Sequence, residues 1–154
     1  MGENDLKALN LGNAFAKFTI KLIRTLHQRK IPWMLENPWS SRVWDLPELK
    51  RIMAWDAVFY QRIDMRGYGT RWKKPTGLLS GHCNKFSLDC YLSNRCVGRR
   101  GTCSFTGKKR IILSGGAPEG GVPWTRIAQA YPVRLGNNIS KVFCASCKPA
   151  RSKS

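Results

Sequence analysis

Apolar residues first recur at helical spacing between residues 13 and 29, NAFAKFTIKLIRTLHQR. Phe15, Phe18, Leu22 and Leu26 follow at three- and four-residue steps, with Ile23 beside them. Lys21, Arg24 and Arg29 fall on the other face. That pattern predicts an amphipathic helix, with Asn13 as its N-cap and Lys30-Ile31-Pro32 as its end. His27 reads as a surface residue of this helix. The apolar run Trp33 to Glu36 then predicts a short buried strand, broken by Asn37-Pro38. Trp39 to Trp44 reads as a loop and Pro47 to Met53 as a second helix. Residues 57–63, AVFYQRI, predict a second strand. Met65-Arg66-Gly67-Tyr68-Gly69 reads as a turn, Thr70 to Pro75 as a basic loop, and Thr76 to Leu79 as a third strand. Helix, strand, helix, strand, strand over residues 1–79 predicts an α/β segment.

The pattern changes after residue 79. Residues 80–123 hold four of the six cysteines and many Gly and Ser. They offer one strand, Arg110 to Leu113. The run Gly115 to Pro123 reads as a linker or mobile loop. Order returns over residues 124–147, as a short helix, a turn at Tyr131-Pro132, and a closing helix from Asn137 or Asn138. Residues 148–154 are basic and Ser-rich and are expected to form a disordered tail. The chain carries no internal repeat.

Composition adds a partner to this picture. The 154 residues are 42% hydrophobic, enough for one domain with a core. The net charge of +18 suits a polyanion, with nucleic acid ahead of an anionic membrane face and DNA ahead of RNA. The positive residues are spread along the chain, from Lys17 to Lys109, as a surface field and not as a tail. No stretch reaches the roughly 18 apolar residues of a membrane span. The opening MGENDLKALN is polar and acidic, unlike a signal peptide, and Leu6 stands where a myristoylation motif needs Ser or Thr. The expectation is therefore an intracellular protein, nuclear in a eukaryote, whose cysteines are thiols or metal ligands.

Cys144-x-x-Cys147 has the spacing of a zinc knuckle. Cys83, Cys90, Cys96 and Cys103 are more loosely spaced, with His82 beside the first. Cys96, Cys103, Cys144 and Cys147 could meet as a Cys₄ zinc site; the other reading of them is buried thiols. Segment 96–110, CVGRRGTCSFTGKKR, interleaves Arg99, Arg100, Lys108 and Lys109 with Phe105, which suits phosphate contact and base stacking.

Three short motifs in order carry a resemblance. Leu35-Glu36-Asn37-Pro38 is similar to the Glu-Asn motif of DNA cytosine-5 methyltransferases. Tyr68-Gly69-Thr70-Arg71-Trp72-Lys73-Lys74-Pro75-Thr76-Gly77-Leu78-Leu79 resembles that family's basic motif, an aromatic-Gly pair, a basic cluster and a following strand. Ala130-Tyr131-Pro132 followed by Leu135-Gly136-Asn137-Asn138-Ile139 resembles its closing motif. A variant from mobile-element polyproteins, with Glu-Asn-Pro and a Cys-rich insert, looks closer still. The resemblance implies part of a Rossmann-like methyltransferase sheet, with residues 80–123 as a target-recognition-like insert. It implies that Glu36 contacts a flipped cytosine at ring N3 and the exocyclic amine, and that Asn37 holds the loop. A partly buried glutamate there could donate as well as accept a proton. Arg71, Lys73 and Lys74 would lie near the base or the phosphates, and Asn137 near the S-adenosylmethionine pocket.

The departures limit what this resemblance implies. No Cys precedes Cys83, no Pro-Cys pair occurs, and there is no Gly-rich turn to seat the cofactor. Methyl transfer to the ring needs a thiolate nucleophile. Trp72 stands where the family has Gln, and Lys replaces Arg, without its bidentate geometry. The chain therefore resembles the C-terminal half of such an enzyme, inactive alone. S-adenosylmethionine would enter only with a separate chain carrying the N-terminal half. The alternatives are a basic zinc-binding module for DNA or RNA, and a basic structural component of a larger assembly.

Overall fold

The computed structural model describes residues 2–98, 101–111, 113, 126 and 128–147. Helix α1 spans Glu3–Gln28. It starts ten residues before the periodic stretch. The Asp5 carboxylate accepts the Gly2 N–H at 3.0 Å. Glu3 and Asp5 also place negative charge on the positive end of the helix dipole. The early turns escape a periodicity search because they bury nothing. Only the second half docks, through Ile20, Ile23 and Leu26. Lys30, at φ 55°, turns the chain back, and the Ile31 N–H donates to the Leu26 carbonyl at 2.9 Å.

Strand β1, Trp33–Pro38, leads into a 3-10 turn at Arg42–Asp45 and helix α2, Pro47–Met53. Strand β2 is Val58–Asp64. A second 3-10 turn, Met65–Tyr68, ends on Gly69, whose φ of 102° suits glycine. Strand β3, Pro75–Gly81, then enters between the first two, giving the order β1-β3-β2. It runs antiparallel to both, so β1 and β2 point the same way. Glu36 and Gln61 both pair with Leu78, and Leu35 and Tyr60 both pair with Leu79.

Alternation along the strands divides the core into two clusters. Leu79, Trp33 and Leu35 pack with Ile23, Trp44, Leu49 and Ile52 under α1 and α2. Leu78, Ile63 and Met34 pack on the other face with Leu88, Leu92, Leu135 and Val142. Those last residues belong to helix α3, Lys85–Tyr91, to the residue after it, and to helix α4, Val133–Cys147. The result is three layers with β3 at the centre. The α/β expectation holds at that level. The sheet is a small antiparallel one, and the described residues do not by themselves make a Rossmann-like sheet.

Several local expectations change. The strand expected at Arg110 to Leu113 is reduced to an isolated bridge between Ile111 and Trp72. Helix α3 was not expected; Asn84 caps it by accepting the Ser87 N–H at 2.9 Å. The closing helix begins at Val133 and not at Asn137, because the Pro132 carbonyl already accepts from Leu135 and Gly136. The Gly115–Pro123 run, the tail 148–154 and most of the helix expected before Tyr131 lie outside the described residues.

An aromatic stack secures the chain just after β1. Trp39 stacks on Tyr60 at 5.3 Å, Arg62 covers Trp39 at 5.4 Å, and Trp44 leans on Tyr60. The Trp44 indole donates to the Pro38 carbonyl at 2.8 Å. Glycines make room for these rings. A Cβ at Gly77 would meet Trp44 at 2.9 Å, and one at Gly81 would meet Trp33 at 2.3 Å. We expect Gly81→Ala to cost about 1–3 kcal/mol, as overpacking does in a filled core. Urea denaturation checks this; an unchanged midpoint would show that Trp33 can move aside.

Candidate nucleic-acid interface

Two elements bring the basic residues together. The 3-10 turn after β2 supplies Arg66, and the loop behind it supplies Arg71. A tight reversal over residues 101–111 supplies Thr106, Lys108 and Lys109. Its two sides meet at the Thr102–Lys109 bridge. The Cys103 N–H donates to the Lys108 carbonyl at 2.9 Å. Gly107 turns the tip at φ 67°. The Ile111 N–H donates to the Arg71 carbonyl at 3.1 Å and ties the reversal to the basic loop.

Arg66 spans the junction. Its guanidinium donates to the Thr70 carbonyl on one side and to the Thr106 hydroxyl, at 2.9 Å, on the other. Its Nε is buried without a partner. Arg66, Arg71, Thr106, Lys108, Lys109 and Ile111 line an open cavity of about 410 Å³. Four cations and no carboxylate line it, so the cavity attracts anions. Lys108 and Lys109 are exposed and free to follow a phosphate backbone.

Two thiols lie under this cavity. Cys96 and Cys103 are buried, at 2% and 1% exposure. The Cys96 N–H donates to the buried Asp64 carboxylate at 2.8 Å, and Arg110 donates to its sulfur at 3.4 Å. Burial pushes the Cys103 thiol up. Hydrogen bonds from Thr106, from Arg66 and from the Phe105 and Thr106 backbone outweigh it and bring the thiol down to about 6. For Cys96 burial is likewise outweighed, here by Ser104, Gly98 and Arg110.

The other expected site residues sit elsewhere. Cys144 and Cys147 are exposed on α4. Among the described residues, which include all six cysteines, no group of three or more metal-ligand side chains gathers. The Cys₄ constellation is therefore not assembled: the two pairs belong to different elements. Cys83 lies beneath the Trp33 carbonyl, with its thiol pushed up to about 11 by burial.

Glu36 sits on β1, an outer strand and not the central one. Its Oε1 is buried and has no hydrogen-bond partner. It lies beside Tyr131, whose hydroxyl is pushed up by burial and then by the Glu36 carboxylate. Lys74, just before β3, reaches the same turn, donating to the Ala128 carbonyl at 3.2 Å. The turn at residues 128–132 thus draws in Glu36 and Lys74 together. Asn37, one residue on, faces the α1 side with Phe15 and Thr19. Lys73 is half-buried, and Asn137 is exposed on α4. Its neighbour Asn138 is the one that bonds, to the Tyr91 carbonyl at 2.9 Å. Arg99 and Arg100 lie outside the described residues.

Sequence reasoning missed Arg66 and Thr106, which look like ordinary turn residues until the reversal folds against them. It also missed that His27 stacks on His82 at 4.3 Å between ring centres. No protein-family model matches the chain, and no curated protein or solved structure matches it either. No helix among the described residues is long and apolar enough to cross a membrane.

The thiols give a pH test. The folded-state value of Cys103 lies below its ordinary 9.0. Its thiolate therefore contributes stability that is complete above pH 9.0 and lost as pH falls through about 6. In a Cys96→Ser variant, thiolate absorbance should appear near pH 6, and adding Arg66→Ala should move it upward. A midpoint near 9.0 in both would remove Arg66 as the cause.

Proposed function

We propose that the chain is a nucleic-acid-binding relative of the C-terminal half of a DNA cytosine-5 methyltransferase, inactive alone. The observation that carries the binding is the cavity lined by Arg66, Arg71, Lys108 and Lys109, set in a chain of charge +18. Phosphate contacts from such residues release counterions and supply affinity without sequence. Phe105, 49% exposed at the tip of the same reversal, is placed to stack on an unpaired base.

Three features support the methyltransferase-like part of this reading. Strands β1 and β2 run parallel and are joined by a helical crossover, the local plan of a wound α/β sheet. Glu36 lies toward the carboxyl end of β1, where such sheets bind ligands. Its buried Oε1, beside the Tyr131 hydroxyl, would suit the polar pairing edge of an extruded cytosine. No cysteine thiolate accompanies Glu36 among the described residues; of the thiols with lowered values, Cys103 is in the reversal and Cys96 precedes it, bonded to Arg110. Chemistry on the ring, and S-adenosylmethionine with it, would need a further chain.

Binding to duplex DNA should weaken with salt. Four phosphate contacts correspond to a log–log slope of roughly −3.6. Replacing Arg71, Lys108 or Lys109 by alanine should each reduce the slope by about one. Fluorescence anisotropy across a salt series measures this, and a flat series would remove the electrostatic interface. The base pocket is tested separately. Glu36→Gln should weaken binding to DNA with an extruded cytosine more than binding to plain duplex. Equal losses on both would leave the basic cleft standing without the pocket.

A further inference from the structure

Helix α1 carries more apolar surface than this fold covers. Phe15 and Phe18 are each 63% exposed, Leu11 is 59% exposed and Leu22 45%. Steps of four, three and four residues set them in one stripe, the spacing by which two helices interlock. This stripe is not the docked face, which is Ile20, Ile23 and Leu26. Nor is it the polar flank, because Asn13, Lys17, Lys21 and Arg24 line the cleft toward Leu46 and Glu48, while Phe15 borders a separate groove with Leu35, Asn37 and Leu49. At about 100° per residue the stripe falls on the opposite flank, on the side of β1. There Phe15 borders a groove with Leu35 and Asn37. β1 is the outer strand; the Pro38 carbonyl on its free edge accepts from Ser41 and the Trp44 indole, while the backbone groups of Met34 and Glu36 there pair with nothing among the described residues. An unpaired strand edge and an uncovered apolar stripe thus lie side by side.

We propose that β1 and α1 form a symmetric interface with a second copy of this chain. A two-fold axis normal to the sheet sets two β1 strands edge to edge and antiparallel, the pairing a strand makes with itself. The same axis keeps both α1 helices on one face, antiparallel, with their stripes opposed. Leu11 then meets Leu22, and Phe15 meets Phe18. The start of one helix, which carries Asp5 and the Glu3–Lys7 ion pair, comes opposite Arg29 and Lys30 beyond the end of the other, where Glu3 and Asp5 can add a second basic partner. One axis serves both elements, because Phe15 of the stripe borders the groove that Leu35 and Asn37 of β1 line. That matching of acid to base and stripe to stripe is what favours a second copy over an unrelated chain. Glu36 lies in the strand that pairs, so the dimer sets two such residues near one axis.

The charge makes a distinctive readout. Each copy carries +18, so repulsion opposes association and salt relieves it. The dimer should tighten with salt while DNA binding weakens, which separates failure of one reading from failure of the other. Sedimentation equilibrium of the full chain, free of nucleic acid, should give twice 17.5 kDa at high salt. Phe18→Glu should return it to the monomer with an unchanged circular dichroism spectrum. Leu11→Glu should do the same, and it lies on turns that touch nothing. Phe86→Glu, at a 76% exposed site on α3, should leave the dimer intact. A monomer at every salt and concentration would overturn the proposal, including the case where some other chain covers the stripe. So would a dimer that survives both α1 substitutions.

Discussion

The structure depends on β3 lying between two strands that run against it. Seven residues, Pro75–Gly81, supply hydrogen-bonding edges to both neighbours and apolar contacts to both clusters. Six of the seven are buried, so the strand must be nearly self-sufficient in polar groups. Thr76 donates to the Lys74 carbonyl at 3.2 Å, and Ser80 donates to Phe59 at 3.4 Å. Gly77 and Gly81 have no side chain because Trp44 and Trp33 occupy the space. Leu78 and Leu79, adjacent in sequence, each serve one cluster. Loss of β3 would separate β1 from β2 and detach both layers of helices.

The same strand places the candidate site. Its leading residues bring Lys74 to the turn that also meets Glu36, while the chain just before it holds Arg71 against the 101–111 reversal. Two regions with different chemistry result. One is a half-buried carboxylate beside Tyr131, at a turn whose Ala128 carbonyl Lys74 also reaches. The other is an open basic cavity, with two thiols drawn toward ionisation by the hydrogen bonds beneath it. The Glu36 carboxylate faces the α4 side of the sheet, beside Tyr131.

Helix α1 shows how a fold can be stable over one half of an element and open over the other. Its last turns pack on Trp33 and Leu79, and its first turns extend away from them. Large aromatic side chains left in water oppose solubility, and a surface of charge +18 offsets that.

Local pattern determined much of this molecule. The proline at the start of α2, the apolar runs of β1 and β2 and the turn at Gly69 were legible because each is set by neighbours in sequence. The charge and the basic loop before β3 were legible for the same reason. Other features were not. The start of α1 carries no buried face, so no periodicity marks it. The expected strand at Arg110 to Leu113 looked apolar but finds only Trp72 to bridge, since β1 and β2 already occupy both edges of β3. The grouping of Arg66 with Thr106 spans forty residues, and the separation of Cys96 and Cys103 from Cys144 and Cys147 depends on which elements pack together. Sequence alone determined the elements and the charge, because these follow from residues within a few positions of one another. Tertiary structure alone decided which charges share a cavity and which apolar face stays uncovered, because both depend on the insertion of β3 between strands far apart in the chain.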